Sequence, residues 1–250
     1  MLSGSLRLLE AVAVVACAVW FVVDRKHFGW ARRDSAEPAL VGQRFADAVS
    51  RRERMEVGGE WFGVIVGVVF FASGLSIVLS SVNVTFVLAI DVFVYAAATA
   101  IRYASVRHRQ PKRAASLRPR NANKTLPPAV YFPALAVALM PLWFLDVDKT
   151  LSLVVLSTAL GTIGLAWAVA NLPSRLTGDD PVADRIVDER MRIARSWNLL
   201  TVSVSLVYFF ATQFGRHDGV HNLAFWLSWA AVMGLIFSRR ALLGRPPSAG

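Results

Sequence analysis

The sequence predicts an all-α fold, a polytopic membrane bundle of seven transmembrane helices with the N-terminus outside and the C-terminus in the cytoplasm. Three observations carry that expectation. The chain of 250 residues is 55% hydrophobic and only 18% charged, whereas soluble domains stop near half apolar and reach about a quarter charged. Its apolar residues gather in runs long enough to cross a hydrocarbon core, which takes about 20 residues per helix. Its basic residues fall almost entirely on one side of the topology that those runs define.

The predicted spans are 5–23, 61–82, 85–103, 129–145, 151–172, 198–214 and 223–237. With the N-terminus outside, the cytoplasmic segments are 24–60, 104–128, 173–197 and 238–250. Counting Arg102 at the inner end of its span, these regions hold 24 of the 27 Lys and Arg, leaving Arg7, Lys149 and Arg216 on the other side. Enrichment of Lys and Arg in cytoplasmic loops is the orientation signal of membrane proteins, and adding or removing one span would destroy it. The expected location is the plasma membrane, as a single multi-pass domain.

The first span contains Ala16-Cys17-Ala18, which has the small residues of a leader cleavage site. Cleavage there would turn 24–60 outward and, by parity, expose the acid-free basic loop as well, so the segment reads as a retained helix. The lone Cys17 forms no intrachain disulfide. Between the first two spans, Gln43 to Glu56 forms a helical stretch with Phe45, Val49 and Met55 as a thin apolar seam, suited to the inner surface or to a partner. Glu53-Arg54-Met55 precedes Trp61 at the spacing by which Glu189-Arg190-Met191 precedes Trp197. Each Trp is expected to open a span at the cytoplasmic interface, where Trp anchors helix ends; the second–third and sixth–seventh helices then read as related hairpins.

The second span carries Gly63, Gly67 and Gly74 along one face, and the fifth carries Ser157, Gly161, Gly164 and Ala168. Small residues at this spacing let helices approach closely in lipid. Both faces are therefore expected to pack, against this chain or another copy. Pro127-Pro128 opens the fourth span, and Pro133 and Pro141 interrupt its hydrogen bonding.

The third span follows with Asp91, Tyr95, Thr99 and Arg102 on one face. The sixth has Asn198, Thr201, Ser205, Tyr208 and Thr212 on one face. Both polar stripes should turn inward. A charge at the bilayer centre costs about 2.5–3.5 kcal/mol on insertion scales, so an acid inside a span is a functional candidate. Asp91 and Glu10 are the two such acids, each roughly 4–6 Å outward of its helix centre at 1.5 Å per residue. Together with Tyr95, Thr201, Ser205 and Tyr208 they form the candidate site for a proton or a cation. Two structural alternatives stand beside it: Glu10 pairing with Arg7 one turn away, and a protonated Asp91 donating a hydrogen bond to sixth-helix hydroxyls as packing glue.

The outer loop Arg216-His217-Asp218-Gly219-Val220-His221 is a weak metal candidate through His217, Asp218 and His221, because Gly219 disfavours the helix that would align both imidazoles; solvated turn residues are the simpler expectation, and no metal or other cofactor is assigned. The seven-helix topology with an outer N-terminus resembles that of microbial rhodopsins, but Lys26, Lys112, Lys124 and Lys149 all lie outside the spans, so no lysine is placed for a Schiff base. No His lies in a span to ligate haem, and no nucleotide loop, zinc-protease or hydrolase motif is present. The basic loop at 102–124 has only Tyr103 for base stacking, which argues against nucleic acid and for anionic lipid headgroups on the cytoplasmic side. Two functions follow as expectations. The first is a non-enzymatic subunit, an interaction or regulatory component of a membrane assembly or homo-oligomer. The second is a small transporter or a proton- or cation-conducting bundle built on Asp91 and the sixth-helix stripe.

Overall fold

The computed structural model describes residues 12, 47–49, 66–75, 83–104, 126–172, 181–214 and 219–243, and the elements among them are helical. In chain order they are α1 (Val66–Leu75), α2 (Val84–Ala104), α3 (Pro128–Ala138) with a 3₁₀ turn at Met140–Phe144, α4 (Lys149–Asn171), α5 (Pro181–Phe214) and α6 (Gly219–Leu243). Three helices are long and apolar enough to cross a membrane: Val84–Ala104, Lys149–Asn171 and Val182–Gln213. Large apolar side chains face outward on several elements, Phe93 and Ile101 on α2, Trp167 on α4 and Phe237 on α6 among them. A water-facing bundle would hide this much apolar surface, and lipid does not require it to. The chain is a membrane protein on these grounds.

Local chemistry places the helix ends. Asn83 starts α2, its side-chain oxygen accepting from the Thr85 amide at 2.9 Å, as a capping Asn does; Arg102 closes the helix in its last turn, where a cation meets the negative end of the dipole. Pro128 occupies the first turn of α3, where the missing N–H costs nothing. Pro141 cannot donate to the carbonyl four residues back, and after Leu139 the chain tightens into the 3₁₀ turn. The expected fourth span is therefore one apolar rod in two windings. Asp148 caps α4 by accepting from the Leu151 amide at 2.9 Å, so this acid has a structural task.

α5 is the element the others share. It packs on α2, α3, α4, α6 and the 3₁₀ turn, while α4 also packs on α2. The α4–α5 seam uses Ala159, Ile163, Ala166 and Ala170, all buried, and it is close enough for the Ser203 hydroxyl to donate to the Ala159 carbonyl at 3.0 Å. Gly161 and Gly164 do not belong to this seam. Gly161 is two residues from both Ala159 and Ile163, and Gly164 is two residues from Ala166; each step of two turns about 200° round the helix, to its far side. Both glycines are exposed, as are Ser157 and Ala168, and a Cβ built on either glycine meets nothing within 4 Å. Gly67 and Gly74 are buried on α1 as a packing face requires, and Gly63 lies outside the described residues.

The stretch leading into the sixth predicted span also differs from expectation. α5 begins at Pro181 and runs for 34 residues, about 51 Å at 1.5 Å per residue, well beyond a hydrocarbon core of about 30 Å. Trp197 lies inside this continuous helix and is only 1% exposed, so it is a core residue and not an interfacial anchor opening a span; Trp61 lies outside the described residues. An apolar seam of Ala183, Val187 and Met191 holds α5 against Ala48 and Val49, which gives part of the predicted seam in 43–56 a partner within the chain. Beside that seam is a buried polar network. Tyr103 donates to Asp188 Oδ1 at 2.9 Å, Arg192 pairs with Asp188 Oδ2 at 3.0 Å, and the Arg195 guanidinium lies 5.2 Å from the centre of the Tyr103 ring.

Removing one member of a buried ion pair leaves an uncompensated charge and costs about 3–5 kcal/mol. Asp188→Ala is expected to destabilise the bundle by that order in reversible denaturant unfolding in mixed micelles, and Asp188→Leu combined with Arg192→Met to recover most of it. Equal stability of Asp188→Ala and the parent chain would refute the network's role.

Candidate intramembrane cation site

A carboxyl group placed in lipid must be enclosed, and the bundle encloses Asp91 almost completely: the residue is 1% exposed. Two helices flanking α2 make the enclosure. From α1, the Ser73 hydroxyl donates to Asp91 Oδ1 at 2.6 Å, a buried contact. From α5, a row of side chains faces the same carboxyl across a cavity of about 340 Å³. Asp91 Oδ2 is buried and has no hydrogen-bond partner among the described residues.

Helical periodicity explains the composition of that cavity. On α2, Leu88, Asp91, Val92 and Tyr95 follow one another at steps of three, one and three, which keeps them on one side of the helix. On α5, Asn198, Thr201, Val202 and Ser205 form the matching side, continued by Leu206 and Phe209, and Phe70 of α1 joins the wall. The α5 part alone runs from residue 198 to 209, about 16 Å along the axis. The polar groups are therefore held on regular helix and not on loops, which limits their movement relative to one another. The Thr201 hydroxyl donates to the Trp197 carbonyl at 2.9 Å, leaving its oxygen lone pairs as acceptors.

Of the candidates chosen from sequence, Asp91, Tyr95, Thr201 and Ser205 meet at this cavity. Tyr208 does not line it. Its ring lies against Phe225 of α6, with centroids 5.3 Å apart; at about 100° per residue Tyr208 sits about 80° round the helix from Asn198, on the side away from Val202, Leu206 and Phe209, through which the cavity face continues. Thr212, the last member of the predicted stripe, is exposed and donates to the Phe209 carbonyl. Asp91 bonds to Ser73 of α1, not to the α5 hydroxyls expected to receive it. Thr99 is buried further down α2, its hydroxyl without a partner. Glu10, Arg7, His217 and Asp218 lie outside the described residues, as does the His221 side chain; no group of three metal-ligating residues occurs among those described.

Ser73 is the site residue that sequence reasoning missed. Its hydroxyl is an ordinary feature of an apolar helix until the Asp91 carboxyl is placed beside it. The available signal was position: Ser73 adjoins Gly74, a member of the face expected to pack, and both are buried. Comparison with known proteins adds no assignment, since no family model, no curated protein and no solved structure matches the chain.

The cavity has a direct test by cysteine access in a Cys17→Ser background. Ser205→Cys is expected to react with a small membrane-permeant thiol reagent, whereas Ser203→Cys, at the closed α4–α5 seam, is expected to stay unlabelled until the protein is unfolded. Equal labelling of the two would contradict the assignment of Ser205 to an open cavity and Ser203 to a closed one.

Proposed function

We propose that this chain is a multi-pass protein of the plasma membrane that handles a proton or a cation inside its bundle at Asp91, as a small transporter or conducting bundle. One observation carries the reading. Asp91 is buried, is bonded through one oxygen only among the described residues, and lines a cavity to which α5 contributes Asn198, Thr201 and Ser205. An acid kept at membrane depth against its insertion cost marks an ion pathway or a relay more often than a packing contact. Hydrogen bonding alone would have been met by Asn without that cost.

The proposed topology has seven spans, an outer N-terminus and a cytoplasmic C-terminus, with the loop after α2 on the inner side against anionic headgroups. In that frame the projecting part of α5, with Asp188 and Arg192, lies on the cytoplasmic face. A second reading, a subunit of a larger membrane assembly, is favoured by the open small-residue face of α4 at Gly161 and Gly164. A partner helix could approach the α4 backbone closely there.

In sealed proteoliposomes loaded with a pH-sensitive dye, Asp91→Asn is expected to reduce proton or coupled cation flux by about tenfold or more while leaving thermal unfolding unchanged. Full flux in that variant would remove Asp91 from the function. For topology, a reporter active only in the periplasm should be silent when fused after Lys112; activity there would reverse the orientation. For the subunit reading, Gly161→Leu with Gly164→Leu should release partners or dissociate oligomers in native mass spectrometry, and unchanged assembly would dismiss that face as an interface.

A further inference from the structure

We infer that the ligand of the Asp91 cavity is an organic monocation, a protonated amine or quaternary ammonium carried on an apolar body of about the size of a substituted benzene ring. The inference rests on the reading of Asp91 as a cation site and specifies which cation.

Volume is the first ground. At about 340 Å³ the cavity holds roughly ten times the ~30 Å³ share of one water molecule and falls at the small end of ligand pockets, about 300–1,000 Å³. A proton or a bare metal ion would leave most of it unfilled. Wall chemistry is the second. Six of the eleven lining residues are wholly apolar: Phe70, Leu88, Val92, Val202, Leu206 and Phe209. A hard cation such as Ca²⁺ asks for about 6–8 oxygen ligands, and this wall has one carboxyl group and a few neutral polar groups to offer. An ammonium carrying carbon substituents asks for less: one counter-charge, one or two acceptors, and contact for its body.

The third ground is charge. Among the described residues Asp91 is the only acid in the wall and no basic side chain lines it, which suits a monocation. Phe70, Tyr95 and Phe209 contribute aromatic rings to the same wall, and ring faces attract ammonium groups most strongly where water is absent. Thr201 and Ser205 face Asp91 from α5 and supply acceptors for an N–H that the carboxylate does not take.

An isolated charge against this largely apolar wall is disfavoured, so the site stays neutral in both of its states. Either Asp91 carries a proton, or an ionised Asp91 carries the ammonium. Entry of the cation therefore breaks the carboxyl O–H bond, releases that proton to solvent and forms one carboxylate–ammonium pair. Ser73 faces Asp91 from α1, and Tyr95 is the only other titratable side chain in the wall, so the released proton belongs to Asp91.

The full chain in lipid nanodiscs, titrated with tritiated benzyltrimethylammonium in weakly buffered solution containing a pH dye, tests this. Saturable binding of one cation per chain with release of one proton is expected. Asp91→Asn should bind about thirtyfold more weakly or worse, as loss of one partner of a buried charge pair does. Val202→Trp, which fills the cavity and keeps the acid, should also abolish binding, and serves if Asp91→Asn fails to fold. The uncharged isostere 2,2-dimethylpropylbenzene should not compete. No saturable binding, binding unaffected by either variant, or equal competition by the uncharged isostere would each overturn the inference. Asp91-dependent proton flux without cation binding would overturn it while leaving the proposed function standing; absence of both would end both.

Discussion

The structure depends on one constraint: inside an apolar medium, a polar group must find its partner within the protein. Helix formation answers this for the backbone, and what remains is to dispose of side chains. The bundle does so by sorting faces. Aromatic and aliphatic side chains of α2, α4 and α6 point outward, while Asp91, Ser73, Thr162, Ser203 and Ser228 are turned in. Ser203 reaches the Ala159 carbonyl, and Ser228 reaches the Phe225 carbonyl within its own helix. Asp91 is the demanding case because one hydroxyl meets only half of its carboxyl group.

Much of this order was legible before any coordinates. The boundaries of α2 and α4 agree with the predicted spans within about two residues, a margin ordinary for helix ends, since long apolar runs bounded by Asn83, Asp148 and Pro173 leave little choice. The inward turn of Asp91, Tyr95, Thr201 and Ser205 was legible for the same reason, as a polar stripe on an apolar helix has one tolerable direction. Tyr208 shows the limit. Five residues on an ideal stripe span enough of the helix circumference that the last ones reach a different neighbour, here Phe225 of α6, and only the packing decides where the stripe ends.

The glycines of α4 and the first half of α5 show a different limit. Gly161 and Gly164 have the spacing of a packing motif, but Ala159, Ala166 and Ala170 offer the same smallness on the other side of the helix. Spacing cannot rank two such faces; the positions of α2 and α5 do. In 181–197, the density of charge pointed only to a loop segment preceding the sixth span. The residues Ala183, Val187 and Met191, one per turn, instead form an apolar seam beside an Asp188–Arg192 pair, so a charged segment has its own small core.

α5 contains neither Gly nor Pro from Val182 to Phe214, and nothing in it offers a hinge. Asp188 and Thr201 are thirteen residues apart, about 20 Å along one axis, with Trp197 buried between them. The cavity wall and the Asp188–Arg192 ion pair are thus two stations on a single stiff shaft. A twist of a few degrees imposed at either station is delivered to the other without loss in a flexible joint. Movement at the cavity is mechanically audible at the ion pair.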